Sequence, residues 1–246
     1  MQNIARRRLV SIGLLVFALA VCALFISLGF WQLDRAEQKR TSFEEFQSRG
    51  EAARIDLNLS SVGEDDALPG FRSIATGRYL EPTILFDNQI HQGRAGYLVY
   101  SVFALDRRRH SILVNRGWII ADPDRSQAPV INTPSTGLRL EGRLSQPPSE
   151  GLRLEGSDRI EQLTDNLWRV QDIDFASMET SLGEQLLPIT MLLDPELAGG
   201  FVRDWVAPGS DEARHLGYAF QWFALAMTVV VVSIVISIRS GKAGQS

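Results

Sequence analysis

The sequence predicts a membrane protein in which two transmembrane helices flank an α+β extracytoplasmic domain dominated by antiparallel sheet. Three observations predict it. Leu9 to Phe30 holds 22 residues without a charge, and Leu216 to Ile238 another 23. At ~1.5 Å of rise per residue, either run crosses a hydrocarbon core of ~30 Å. Arg6, Arg7 and Arg8 precede the first run, and Arg239 and Lys242 follow the second. Cytoplasmic flanks are enriched in such residues, so both termini are expected in the cytoplasm. Between the runs lie short β-branched and aromatic stretches punctuated by Gly, Pro, Asp and Asn, the pattern of adjacent strands, with closure into a small barrel as one arrangement. The chain is therefore read as a cytoplasmic tail (1–8), a first span (9–30), an extracytoplasmic domain (31–215), a second span (216–238) and a second tail (239–246).

Taken in order, the first span competes with a cleaved signal. Ala18-Leu19-Ala20 offers a small-residue cleavage pattern, and Leu19 to Cys22 faintly resembles a lipoprotein site, with Val21 ill suited to its place before the cysteine. The apolar run, however, continues ten residues past Ala20 and passes directly into FWQLDRAEQKR, with Trp31 at interfacial depth. An uncleaved anchor is expected. Cys22 is the single cysteine, so no disulfide or thiolate metal cluster forms within one chain. Residues 31–215 must hold together by their own core, for which their length is ample. They carry 20 basic residues against 29 acidic ones, a net −9 within a chain of −4. Such a domain is a poor partner for nucleic acid, whose phosphates call for cations.

Phe30 to Arg49 should continue the first helix outward, with Leu33, Ala36, Phe43 and Phe46 as a broken apolar stripe. Arg35, Lys39 and Arg40 on these turns suit a solvated face meeting lipid headgroups, or a cationic rim for an anionic ligand. Glu51 to Gly70 reads as a loop. Strands are expected at Phe71 to Tyr79, Thr83 to Phe86, Tyr97 to Leu105, Ser111 to Ile119, Arg139 to Leu144 and Leu186 to Leu193. DRRRH (106–110) reads as a hairpin tip and Asp174 to Leu182 as a short helix. Residues 123–134 and 145–160 read as exposed loops.

The common catalytic signatures are missing from the sequence. There is no HExxH, GxSxG, P-loop or properly placed GxGxxG, and lysines occur only at 39 and 242, which disfavours a Ser-Lys protease. Asp65-Asp66 and Asp122/Asp124 fall in loops, as solvated charges do. His91 and His110 read as surface or hairpin residues. His215 differs by its address in RHLGYAFQWFALA. At helical spacing His215, Tyr218, Ala219, Trp222 and Ala226 share a face. An imidazole in a first helical turn feels the positive end of the dipole, which favours its neutral, ligating form, and haem iron accepts neutral imidazole. An interfacial histidine within an aromatic belt of Tyr218, Trp222 and Phe223 is the plainer reading of the same residues.

Five segments, in order along nearly the whole chain, carry a resemblance: LGFWQLDRAEQK (28–39), DNQIHQGRAGYLV (87–99), VNRGWI (114–119), LWRVQDID (167–174) and HLGYAFQWFALA (215–226). Together they resemble the surfeit locus protein one (Shy-type) family of cytochrome oxidase assembly factors. Gln38 before Lys39 departs from the aromatic residue usual in the family's opening motif.

The resemblance implies a non-enzymatic, multi-pass protein of the bacterial-type inner membrane with its main domain in the periplasm. It would act as a chaperone that receives haem A transiently and passes it to the catalytic subunit of a haem-copper oxidase, with haem A synthase and membrane lipid as further partners. A scaffold that stabilises oxidase subunits without binding haem is the alternative. Carried onto this chain, the haem-associated histidine is His215, as axial ligand to the iron, with Trp222 in the same motif. Tyr218 and Trp222 would pack on the macrocycle, and Arg35 or Arg214 would pair with its propionates. Asn115, Arg116, Gly117 and Trp118 have a structural or partner-facing role, with Arg116 expected against a carboxylate and Gly117 at a bulge or close backbone approach.

Overall fold

The computed structural model describes residues 2–60, 68–125, 127–134, 137–148 and 160–242. In chain order the elements are α1 (Gln2–Glu51), β1 (Ile55–Asp56), β2 (Arg72–His91), β3 (Arg94–Leu105), β4 (His110–Ile120), β5 (Leu138–Ser145), β6 (Glu161–Thr164), β7 (Leu167–Val170), α2 (Phe175–Leu182), β8 (Gln185–Leu193) and α3 (Glu212–Lys242). They divide into two compact units, Met1–Glu44 with Ala207–Ser246, and Glu45–Val206. Two long apolar helices thus bracket a sheet-rich domain, and both are long and apolar enough to cross a membrane.

The first unit is an antiparallel pairing of α1 with α3. Along α1 the buried or half-buried positions include Cys22, Phe25, Gly29, Gln32, Ala36, Lys39 and Phe43, and along α3 His215, Ala219, Trp222, Ala226, Val229 and Ser233. Steps of three and four alternate, and their mean of ~3.5 is the repeat of helices packed with a left-handed twist. Contacts fix the register. Cys22 Sγ lies 3.9 Å from the Ala226 carbonyl, the Phe25 and Trp222 rings are 5.6 Å apart, and Phe30 meets Phe223 edge-on at 5.5 Å. Lys39 pairs with Asp211 at 3.2 Å. Gly29 is required by this packing, since a Cβ there would stand 2.6 Å from the Phe223 ring. Away from the seam the helices are bare: Leu14 is 62% and Phe17 67% exposed, as side chains facing lipid would be. Leu33, expected on the apolar stripe, is 37% exposed, and buried Gln32 takes the seam position beside it.

The second unit is built around β2, which is one 20-residue strand where the sequence reads two. It pairs antiparallel with β5 through Arg72–Gly77, antiparallel with β3 through Gly77–His91, and parallel with β7 through Thr83–Phe86. Pairing runs β3-β4-β8-β5-β2, and β2 returns to β3, a closed circuit of five strands, with β7 and β6 continuing from β2. The sheet is mostly antiparallel, yet β1–β2, β2–β7 and β4–β8 are parallel. Pro82 lies in the register shift between Leu80 and Thr83, where a missing N–H breaks no rung. That is why the strand survives it.

Strand β4 reads as an unbroken apolar run because both its faces are covered. Ile112 and Val114 join a core with Phe103, Leu140 and Met191, while Leu113 joins another with Ile84, Tyr100 and Met178 of α2. Helix α2 matches its expected range. Asp174 caps it, accepting from Ser177 N at 3.0 Å, and Gly183 closes it at φ 68. Much of the 51–70 and 145–160 loop reading, at 61–67 and 149–159, lies outside the described residues.

Candidate functional site

The segment leading into α3 sets the geometry of His215. Asp211 stands immediately before the helix and Glu212 opens it, so two acidic groups meet the N-terminal dipole. The His215 side chain is 17% exposed and turns into the helix seam. Its Nδ1 lies 2.8 Å from Oε1 of Gln32, itself 8% exposed. Its Nε2 lies 3.7 Å from Asp211 Oδ2, beyond hydrogen-bonding distance. The other Asp211 oxygen is held by Lys39 Nζ at 3.2 Å, and this ion pair keeps the Asp211 carboxyl below the usual carboxylate range. Gln32, Lys39, Asp211 and His215 thus form one polar cluster within an otherwise apolar pairing. Sequence reading singled out His215 and Lys39 but missed Gln32 and Asp211. The signal for Gln32 was a lone amide at a heptad position in an apolar run.

The other site residues are distributed less compactly. Trp222 faces α1, against Phe25, with Ala219 and Ala226 buried on the same line. Tyr218 lies off this line and is 44% exposed. Arg35 is exposed and donates from Nη1 to Gln38 Oε1 at 3.0 Å. Arg214 is exposed, and its described hydrogen bond is from the backbone, to Asp211 O. The structure therefore joins His215 and Trp222 along one seam and leaves both arginines exposed at the surface of the helix pair.

No group of three or more His, Cys, Asp or Glu side chains among the described residues could hold a bare metal ion. What the cluster offers is one imidazole, oriented through Nδ1, whose Nε2 has no hydrogen bond among the described residues. That donor set fits a metal that brings its own equatorial ligands and asks the protein for a single axial nitrogen.

The VNRGWI segment has a different character. Arg116 is 1% exposed and all its donors are used: Nε and Nη2 donate to Gly199 O at 2.9 and 2.6 Å, Nη2 to Asn132 O at 2.8 Å, and Nη1 to Thr133 Oγ1 and Ser101 Oγ at 3.1 and 3.3 Å. The expected carboxylate is replaced by carbonyls and hydroxyls, with the Tyr79 and Phe201 rings flanking the guanidinium at 5.2 and 5.3 Å. Burial lowers its pKa, yet an arginine stays charged. Trp118 N donates to Val202 O at 2.7 Å and Val202 N returns to Trp118 O at 3.1 Å. Gly117, at φ 115, has Val202 O where a Cβ would go, 2.6 Å away. The segment is a clasp that fastens residues 199–202 to β4. The His91 ring lies tilted against Trp118, centroids 5.1 Å apart, with Nε2 3.4 Å from Asp204.

Comparison with known proteins agrees with this arrangement of segments. The chain is 26% identical over 227 residues to a SURF1-like protein of Rickettsia felis, covering 86% of this chain and 91% of that one. It is 27% identical over 223 residues to a SURF1-like protein of Rickettsia bellii, covering 85% and 84%. A model of the SURF1 family matches residues 19–227, from within α1 to within α3 and across the whole sheet. On that match the chain belongs to the SURF1 family.

Proposed function

We propose that this protein is an assembly factor for a haem-copper terminal oxidase, seated in a bacterial-type inner membrane with residues 31–215 in the periplasm and both tails in the cytoplasm. Its work is to receive haem A as cargo and to assist its insertion into the oxidase catalytic subunit. It carries out no chemical conversion. The observation that supports the reading is His215, a single oriented imidazole whose Nε2 has no hydrogen bond among the described residues, at the start of an apolar helix. One axial nitrogen suits a carrier, which must let its load go. Tyr218 and Trp222 offer aromatic surface to the macrocycle. Arg35 and Arg214 are exposed and would pair with its propionates, since arginine recognises carboxylates with two parallel hydrogen bonds. Haem A synthase upstream and lipid around the helix pair complete the set of proposed partners.

A second reading, a scaffold that steadies oxidase subunits and binds no haem, draws on a different observation. Trp222 is already packed against Phe25, so stacking on a macrocycle requires the seam to give. A strain lacking the protein separates the two readings. Wild type should restore haem A content in the catalytic subunit, whereas a stably inserted His215→Ala variant should not. Full restoration by that variant would favour the scaffold.

A further inference from the structure

The Nδ1 of His215 and the Oε1 of Gln32 are 2.8 Å apart, and an amide oxygen can only accept. With the amide oxygen facing the ring the proton sits on Nδ1, and in the neutral ring the lone pair is left on Nε2. A free imidazole prefers the opposite arrangement, with its proton on Nε2, so an unassisted His215 would mostly present the wrong nitrogen. Asp211 would reinforce that wrong tautomer if it reached Nε2, but it stands at 3.7 Å, with its other oxygen occupied by Lys39 at 3.2 Å. A buried amide in an apolar helix seam is costly unless hydrogen-bonded, and its described partner is this ring, 183 residues away. Gln32 also sits on the seam one turn before Ala36, 2% exposed, so its backbone is fixed by packing and its reach to the ring is set.

We propose that Gln32 is the positioning residue of the site: it fixes the tautomer and the plane of His215 so that Nε2 is presented as the ligating atom, while Lys39 holds Asp211 away from it. The inference rests on the reading of His215 as the axial ligand. Hydrogen-bond partners that orient a ligating histidine are worth about 10- to 100-fold in affinity, and that is the size expected here.

The test uses the full chain in detergent, labelled with ¹⁵N-histidine, with His91→Gln and His110→Gln variants to assign the His215 signals. In the haem-free wild type the imidazole shifts should report a protonated Nδ1 and an Nε2 lone pair. Gln32→Met keeps the volume and removes the acceptor; it should move His215 towards the Nε2-protonated tautomer and weaken haem A binding, followed by absorbance, by about 10- to 100-fold. Gln32→Glu, which restores an oxygen at the same reach, should recover both. An unchanged tautomer in Gln32→Met overturns the inference, whatever haem does. A changed tautomer with undiminished haem affinity also overturns it, while loss of binding in His215→Ala would leave the ligand assignment standing. Wild-type binding in His215→Ala removes the ligand reading and this inference with it.

Discussion

Single side chains in this chain do their work by being buried and fully partnered, or by being buried and almost so. Burial pushes the Tyr79 hydroxyl from 10.0 up to about 12, against the lowering pull of Arg116 and Arg203, and pushes Tyr100 further still. A folded-state pKa above the unfolded one means that stability is complete below about pH 10 and falls as pH rises from there towards 12, at about 1.4 kcal/mol per pH unit for each tyrosine. Tyr79→Phe should therefore roughly halve the slope of unfolding free energy between pH 10 and 12, read by denaturant titration of tryptophan fluorescence. An unchanged slope would mean that Tyr79 is not shielded from water. Arg116→Met should cost about 3 kcal/mol or more, because Gly199 and Asn132 carbonyls lose buried donors. Arg116→Lys should recover little of it, since one ammonium cannot reproduce a planar five-donor fork between two rings. At this scale the sequence showed where chemistry was concentrated and not what it was bonded to. Arg116 in VNRGWI was legible as special, but its acceptors lie 15 to 83 residues away. Gln32 stood out only as a lone amide in an apolar run, and its role was not legible because its partner is on the other terminal helix.

At the scale of elements, two glycines carry the packing. Gly29→Val should push Phe223 away and loosen the α1–α3 pairing. The readout is a disulfide between Cys22 and a cysteine introduced by Ala226→Cys, a pair placed together by the 3.9 Å approach of Cys22 Sγ to the Ala226 carbonyl. Oxidation should give an intrachain link readily in Ala226→Cys and several-fold more slowly once Gly29→Val is added. Failure to cross-link at all would contradict the antiparallel register. Gly117→Ala puts a side chain at φ 115 and against Val202 O, and should destabilise the fold by about 2 kcal/mol. Most strands were legible because β-branched and aromatic runs ended at turn residues, as in SILVNRGWI for β4. Three features were not. Pro82 looked like a strand end although it falls at a bulge. The four-residue strands β6 and β7 are too short to show alternation. The parallel pairings β4–β8 and β2–β7 are long-range choices of topology that no local pattern encodes.

At the scale of the whole molecule, charge and hydropathy divide the labour: the unit Glu45–Val206 holds a sheet with its own cores, and the terminal helices pair and expose their apolar outer faces. The proposed orientation is checked with topology reporters. A phosphatase active only in the periplasm should work when inserted in the loop after Asp124 and fail when fused after Ser246. The reverse pattern would invert the assignment of both units. The haem-carrier account depends most directly on His215. The decisive measurement is the absorption spectrum of the purified full chain, wild type and His215→Ala, after coexpression with haem A synthesis. A haem A spectrum in the wild type that is lost or shifted in a folded His215→Ala protein is the expected result. Identical spectra in the two, or no haem in either, would contradict it.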